Sequence, residues 1–393
     1  MSVRIDALKG EELRSFMRSL PKTDLHCHLD GSLRIKTVSE LASQPEIRAR
    51  AERYGYSLPE DTSEANIGGL LFPGKDCESL EDYLLAFDIT CAVLQSPETL
   101  ERAAYELAQD CARENIWYLE VRFAPQRHIN DEMDGMAVMK AVNDGLERAE
   151  RDTGIKTGII VCAMRHYAEE ISFYHRKVRD VYPFSTAKEL GSHCSLETAR
   201  LAVMARKSGM NRVVAFDLAG PEANFPPGHH VKAFYEIINT LLASTVHAGE
   251  GYGPDSIHEA ITHLNANRIG HGTRVLEESE RNLLTYIRDR RIAVEVCLTS
   301  NLQTKAIGGL DEHPFRSFLN EEVRAPLCTD NRLVSGITLT DEYVLAHEHF
   351  KLTNEELRRT ILYGFKAAFC PYSERRSLLL RAKRRLAELG LAD

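Results

Sequence analysis

The chain has 393 residues, 43% hydrophobic and 27% charged, with a formal net charge of −9. That length can bury a large core, and an acidic balance gives no basic field for a polyanion, which argues against a nucleic-acid partner. No apolar run reaches the roughly 18 residues of a membrane helix, so no membrane partner is expected either.

The N-terminus, MSVRIDALKGEELRSF, is polar and mixed in charge, without the apolar stretch of a secretory signal. The nine cysteines are scattered and form no C-x-x-C pair. Reduced, buried thiols in a cytoplasmic protein are the expectation.

In chain order, eight short apolar runs rich in Val and Ile alternate with longer amphipathic stretches. The runs are Thr23–Leu29, Ile116–Phe123, Lys156–Ala163, Arg212–Leu218, Ala243–Ala248, Arg268–Gly272, Ile292–Leu298 and Ala325–Thr329. Helical segments between them include Gly135–Asp152, Ser195–Ser208 and Val231–Leu242. Strands alternating with helices predict βαβ units and a parallel sheet. Eight such units predict an α/β fold of the (β/α)8 TIM-barrel type, as one domain over residues 1–393.

The interval after the first run is too long for one crossover. Residues 30–114 read as a helical insertion, with Leu80, Tyr83, Leu84 and Phe87 at i, i+3, i+4, i+7 spacing. Pro97 opens a second helix through Glu98–Arg113 at the favoured first-turn position. Loops after barrel strands lie on the face where active sites sit, so the insertion reads equally as a lid or as extra packing. GGLLFPGKD, residues 68–76, reads as a turn-rich loop, with a hinge or lid as the alternative. Residues 341–393 read as C-terminal helices, ending in the charged amphipathic stretch Leu378–Leu391.

Residues capable of chemistry gather at the ends of the apolar runs. The first run ends DLHCHLDG, where strand geometry points His26 and His28 the same way, about 6.6 Å apart. Alone, this pair reads equally as two metal ligands or as chance. The fifth run ends with His247 and Glu250, the sixth at His271, the eighth with Asp330 and Asn331. Polar groups in apolar strands cost free energy unless paired or coordinated, and strand ends converge on one mouth in a parallel barrel.

A catalytic zinc site uses three or four His and Asp ligands and keeps room for water. His26, His28, His247 and Asp330 supply such a set, leaving His271 and Glu250 as acid–base groups. Bound metal lowers the pKa of water toward about 7, and a desolvated Glu holds a proton near neutral pH. His229 and His230 follow a Pro-Pro-Gly turn, and His347 and His349 do not form H-E-x-x-H; surface or core roles suit these. The chain has no P-loop, no complete dinucleotide fingerprint, no G-x-S-x-G and no P-C-x-x-C.

DLHCHLDGSL, DLAGPE (Asp217–Glu222), HAGE (His247–Glu250), RIGHG (Arg268–Gly272), TSN (Thr299–Asn301) and TDN (Thr329–Asn331) fall in an order that resembles the adenosine deaminase family of the metal-dependent amidohydrolases. The resemblance spans about Leu20 to Thr340. It implies one Zn2+ per chain, held by His26, His28, His247 and Asp330, with His28 also at the substrate. It implies Glu250 as proton donor to purine N1, and His271 as the residue that positions and deprotonates the attacking water. The Gly220 N–H would meet N3, and Asp30 would accept the ribose 5′-hydroxyl. Leu80, Tyr83, Leu84 and Phe87 align with an apolar gate over the nucleoside.

Two departures matter. Asn331 stands where the family often has a second Asp, and an Asn amide can donate to N7 without first being protonated. The fourth strand end reads AFDLAG, without the Lys that bridges two metals in binuclear relatives. The implied reaction is hydrolytic deamination of adenosine and 2′-deoxyadenosine to inosine and 2′-deoxyinosine plus ammonia, the partner being a small purine nucleoside. Adenine, aminodeoxyfutalosine or N6-methyl-AMP are alternative substrates within the family's reach. A silent nucleoside- or metal-binding protein, and a hydrolase of a non-purine amide or ester, are the alternatives from other classes. The sequence sets no oligomeric state.

Overall fold

The computed structural model describes residues 4–71, 80–278 and 282–391, with residues 80–85 described as backbone only. Seven parallel strands run in sequence order: β1 (Lys22–His28), β2 (Ile116–Phe123), β3 (Lys156–Met164), β4 (Val213–Ala219), β5 (Ala243–Ala248), β6 (Arg268–His271) and β7 (Ala293–Glu295). Helices cover the outer faces, so the strands are buried on both sides and read as near-continuous apolar runs.

The eighth run closes the ring as an irregular segment. Arg324 O and Pro326 O accept from Val294 N and Val296 N at 2.8 and 3.0 Å, and Cys328 N donates to Val296 O at 2.8 Å. On the other side Asp330 N donates to His26 O and His28 N to Asp330 O, both at 2.7 Å. Only two isolated bridges, Val296 with Leu327 and Cys27 with Asp330, have strand geometry. Pro326 has no N–H to give, and Asp330 sits at φ 63°, outside the β region. The predicted (β/α)8 barrel is therefore present. The seventh run is shorter than predicted, because Leu298 opens the helix Leu298–Gln303.

The insertion contains helices Ile35–Ala42, Pro45–Arg53, Glu64–Leu71 and Leu80–Val93, before the crossover helix Pro97–Arg113. Ser96 caps that last helix and Pro97 begins it. Residues 68–71 of GGLLFPGKD belong to a helix, because Ile67 and Leu71 are buried within the insertion. The rest of that stretch, and the side chains of Leu80, Tyr83 and Leu84, lie outside the described residues. The helix predicted from Ser195 starts earlier, at Ala187, behind a capping box of Thr186 and Glu189. Helices Leu339–Phe350, Asn354–Ala367 and Tyr372–Glu388 form the C-terminal part.

Inside the barrel, beneath the mouth, lies a layer of paired charges. Arg122 donates to Asp217 at 3.0 Å and to Glu295 at 2.8 Å. Arg268 reaches Glu295 at 2.6 Å and Glu120 at 2.5 Å. All five side chains are buried, and burial on this scale is tolerated only with such pairing. Among the described residues, eight cysteines are free and buried, and no helix is long and apolar enough to cross a membrane.

Candidate active site

The ends of β1, β4, β5 and β6 and the eighth segment open into one cavity. His28, Asp30, Gly220, His247, Glu250, His271, Asp330 and Asn331 all line it, with Phe87 of the insertion and Arg127. His26 lies just beneath, fully buried. Every candidate metal, catalytic or substrate residue named from the sequence, apart from Leu80, Tyr83 and Leu84, is thus placed at or against this cavity.

Hydrogen-bond partners fix the state of two histidines. His26 Nδ1 is 2.8 Å from Glu295 Oε2. A carboxylate only accepts, so Nδ1 holds a proton and Nε2 is the atom left to serve as a ligand; burial lowers this imidazole, but the Asp330 and Glu295 carboxylates outweigh it and raise it. That Nε2 is buried without a hydrogen-bond partner and faces Asp330 Oδ1 at 3.3 Å. His247 Nδ1 donates to Asp217 at 3.0 Å, which leaves its Nε2 as a lone pair 3.2 Å from His28 Nε2. His28 Nε2 is also 3.4 Å from Asp330 Oδ1. Ser300 donates to the other Asp330 oxygen at 2.5 Å.

Ligand atoms of His26, His247, His271 and Asp330 lie within 4.8 Å of one another; this group holds His271 where the sequence predicts His28, whose Nε2 lies 3.2 Å from His247 Nε2 and 3.4 Å from Asp330 Oδ1. Lone pairs converging on a carboxylate repel unless a cation lies between them. Imidazoles oriented by buried carboxylates are the usual support of a zinc-type ligand set. The residues present therefore fit a divalent ion.

Opposite electrostatics govern Glu250. Burial, with the nearby charges of Asp330 and Glu222, raises its carboxyl to about 8. Thr304 Oγ1 donates to its Oε1 at 3.0 Å, and its Oε2 is 3.5 Å from His271 Nε2. The loop carrying it is held by Glu222, which accepts from the N–H groups of Gly249, Glu250, Gly251 and Tyr252 at 2.6, 2.9, 2.7 and 3.0 Å. Gly249 has φ 76°, and a Cβ there would lie 2.5 Å from Ile257 Cδ1, so only glycine fits this turn.

His271 also sits in the left-handed region, at φ 65°, a strain typical of functional positions. A relay sets its tautomer. Phe315 N–H donates to His313 Nδ1 at 3.0 Å, so His313 Nε2 carries the proton toward Asn301 Oδ1 at 3.2 Å. The Asn301 amide then donates to His271 Nδ1 at 2.9 Å, leaving the His271 proton on Nε2. Burial pushes the His271 imidazole well below its ordinary value, so it is neutral.

Asp30 is buried, and burial raises its carboxyl. Gly220 has φ 104°, which turns the chain after β4 at the cavity wall. Asn331 packs on Gly31, where a Cβ would meet its Oδ1 at 2.0 Å, so the glycine after Asp30 makes room for this amide.

Sequence reasoning gave no role to Arg122, Asp217, Glu222, Glu295, Asn301 or His313. The available signal for three of them was polarity inside apolar strands: Arg122 in β2, Asp217 in β4 and Glu295 in β7. Asn301, which the sequence shows only as part of the TSN stretch, and His313 carry no such signal, since neither lies in an apolar strand.

A parallel barrel bearing a His and Asp cluster at the carboxyl ends of its strands is the layout of an amidohydrolase-type enzyme. The chain belongs to the adenosine deaminase family: the family model described as "Adenosine deaminase" matches residues 21–384. It is 34% identical to an adenosine deaminase of Mycobacterium marinum, over 92% of this chain and 94% of that one. It is 37% identical to a probable adenosine deaminase of Dictyostelium discoideum, over 90% of this chain and only 41% of that longer protein. In structure it is similar to the Arabidopsis N6-mAMP deaminase, with a TM-score of 0.74 and 26% identity, covering 94% of this chain and 99% of that one. The chain is accordingly a deaminase of an adenosine-like compound.

Proposed function

We propose that this enzyme hydrolyses the 6-amino group of adenosine and 2′-deoxyadenosine, using one zinc ion. The observation that carries the reading is the pairing, in one cavity, of a carboxyl raised to about 8 with a convergent His and Asp cluster. His26, His28, His247 and Asp330 would hold the ion. When bound, zinc acts as a Lewis acid that makes water nucleophilic near neutral pH.

Glu250, protonated at neutral pH, donates its proton to purine N1, so that the ring can accept electrons as water adds to C6. The Gly220 N–H donates to N3, and the Asn331 amide donates to N7, holding the ring against the attack. His271 in its neutral form donates from Nε2 and orients the attacking water. Accepting a proton, as the family resemblance implies, requires the Asn301 amide to turn and offer its oxygen to Nδ1. One proton of the water passes to the departing amino group and the other returns to Glu250, so that ammonia leaves and inosine remains.

Asp30 selects the substrate's other end. A carboxylate accepts from a 5′-hydroxyl and repels a 5′-phosphate, which favours the nucleoside over the nucleotide. An ultraviolet assay of adenosine, deoxyadenosine, adenine, AMP, N6-methyl-AMP and aminodeoxyfutalosine, before and after chelation, tests this. Adenosine and deoxyadenosine are expected to turn over fastest, with activity lost on metal removal and restored by zinc. A higher kcat/KM for AMP or N6-methyl-AMP than for adenosine overturns the substrate assignment.

A further inference from the structure

Beside the catalytic cavity, on the far side of Asp30, lies a second group of metal-ligating side chains. Asp30, Cys91 and His128 each offer a ligand atom within 4.8 Å of the other two, and all three are buried. They come from different elements: the turn after β1, the insertion helix Leu80–Val93, and the loop after β2.

Two atoms of this group are left without a partner. His128 Nδ1 is 3.1 Å from the Leu94 carbonyl, which only accepts, so Nδ1 holds the proton and Nε2 is a bare lone pair. Burial lowers the His128 imidazole to about 3, so it is neutral. His128 Nε2 and Asp30 Oδ1 are both buried with no hydrogen-bond partner. Leaving buried polar atoms unpaired in this way is unfavourable unless a ligand completes them. The third member, Cys91 Sγ, is 3.9 Å from Asp30 Oδ2.

We propose that Asp30, Cys91 and His128 form a second metal site, selective for thiophilic divalent cations of the zinc and cadmium class. The donor set is one sulfur, one imidazole nitrogen and one carboxylate oxygen, which is typical for zinc and unsuited to magnesium or calcium. An imidazole whose Nδ1–H is held by a backbone carbonyl is already oriented as a ligand. Binding releases the thiol proton of Cys91 to solvent, and thiolate and carboxylate together balance the two charges of the ion. Burial pushes the free thiol up, while the Arg127 guanidinium beside it pulls the other way. The ion reaches the site through the catalytic cavity, because Asp30 forms part of its wall.

A functional consequence rests on the proposed role of Asp30 at the 5′-hydroxyl. A carboxylate engaged by a cation no longer accepts from the substrate. Excess zinc is therefore a competitive inhibitor that acts outside the catalytic ion's ligands.

The test uses full-length enzyme already loaded with one equivalent of zinc, titrated with Co2+ and, separately, Cd2+. The expected result is one further equivalent bound, with an intense near-ultraviolet sulfur-to-metal absorption. The band should disappear in Cys91→Ser and weaken at least tenfold in affinity in His128→Gln, both retaining the first equivalent of zinc. Zinc inhibition of wild-type enzyme should raise KM without changing kcat, and should vanish in Cys91→Ser. No second equivalent, or a band that persists in Cys91→Ser, overturns the site. If Cys91→Ser does not fold, the His128→Gln titration decides alone: an unchanged band and affinity there overturn the site. A thiolate band without inhibition would retain the metal site and refute the role of Asp30 instead.

Discussion

Replacing Glu250 by Gln removes one proton and almost no volume, so its effect isolates the acid. An ordinary glutamic acid at 4.5 is protonated in roughly one molecule in 300 at pH 7, whereas one raised to about 8 is protonated in roughly nine of ten. The surroundings of Glu250 thus supply about 300-fold more acid at neutral pH. General-acid catalysis contributes typically about 10²–10⁴-fold, and Glu250→Gln is expected to lose kcat within that range. The Gln amide still accepts from Thr304, and the His and Asp cluster is untouched, so metal content and fold should survive. Steady-state kinetics from pH 5 to 10, with metal analysis of both proteins, provide the check. The sign follows from the raised value: the competent form is the protonated one, so wild-type kcat should hold below the shifted value and fall as pH rises through about 8. Near-normal kcat in Glu250→Gln, or a wild-type kcat that climbs through pH 8 to 9, would refute the assignment of Glu250 as the acid.

Other outcomes follow from the packing. Gly249→Ala places a Cβ against Ile257 at a positive φ; about 1–3 kcal/mol of stability should be lost in urea unfolding, with kcat reduced because Glu250 moves. Glu295→Gln strips a carboxylate that Arg122, Arg268, Thr245 and His26 share. A loss of about 3–5 kcal/mol in urea is expected, with metal affinity weakened by about 10–100-fold through His26, measured by chelator competition. Removing the metal should lower Tm, and the loss should scale with the logarithm of free zinc, about 4 kcal/mol at a thousand times Kd. A Tm independent of zinc would count against a site linked to folding.

The sequence made the barrel legible because parallel strands buried on both faces leave a strong mark. Each predicted run overlaps an observed strand or, for Ala325–Thr329, the segment that closes the ring. The cluster was legible because its members stand at the ends of those runs, where fold geometry forces convergence. Hidden were the groups whose meaning is set by pairing across the interior. Arg122 in β2 has no local reason to be there; it is explained only by Asp217 and Glu295 on other strands. Glu222 looks like one more loop acid until its four N–H donors are seen. Asn301, in the short helix Leu298–Gln303, and His313, in the loop beyond it, fix the proton of His271 through side chains whose pairing no local pattern announces. Pairwise contacts between distant loops have no period, so no reading of one chain in isolation recovers them.

His26 and His28 lie near one end of the chain and Asp330 near the other, yet they are bonded backbone to backbone where the barrel closes. Any ion gripped there fastens the first stave to the last like a clasp. With the proposed ligand set, the histidines emerge early during synthesis but would not be loaded productively until Asp330 has left the ribosome and the ring has shut. A nascent chain stopped before Asp330 would expose two histidines with no carboxylate to complete their grip. Loading of the proposed centre would thereby become a report that the barrel has been finished.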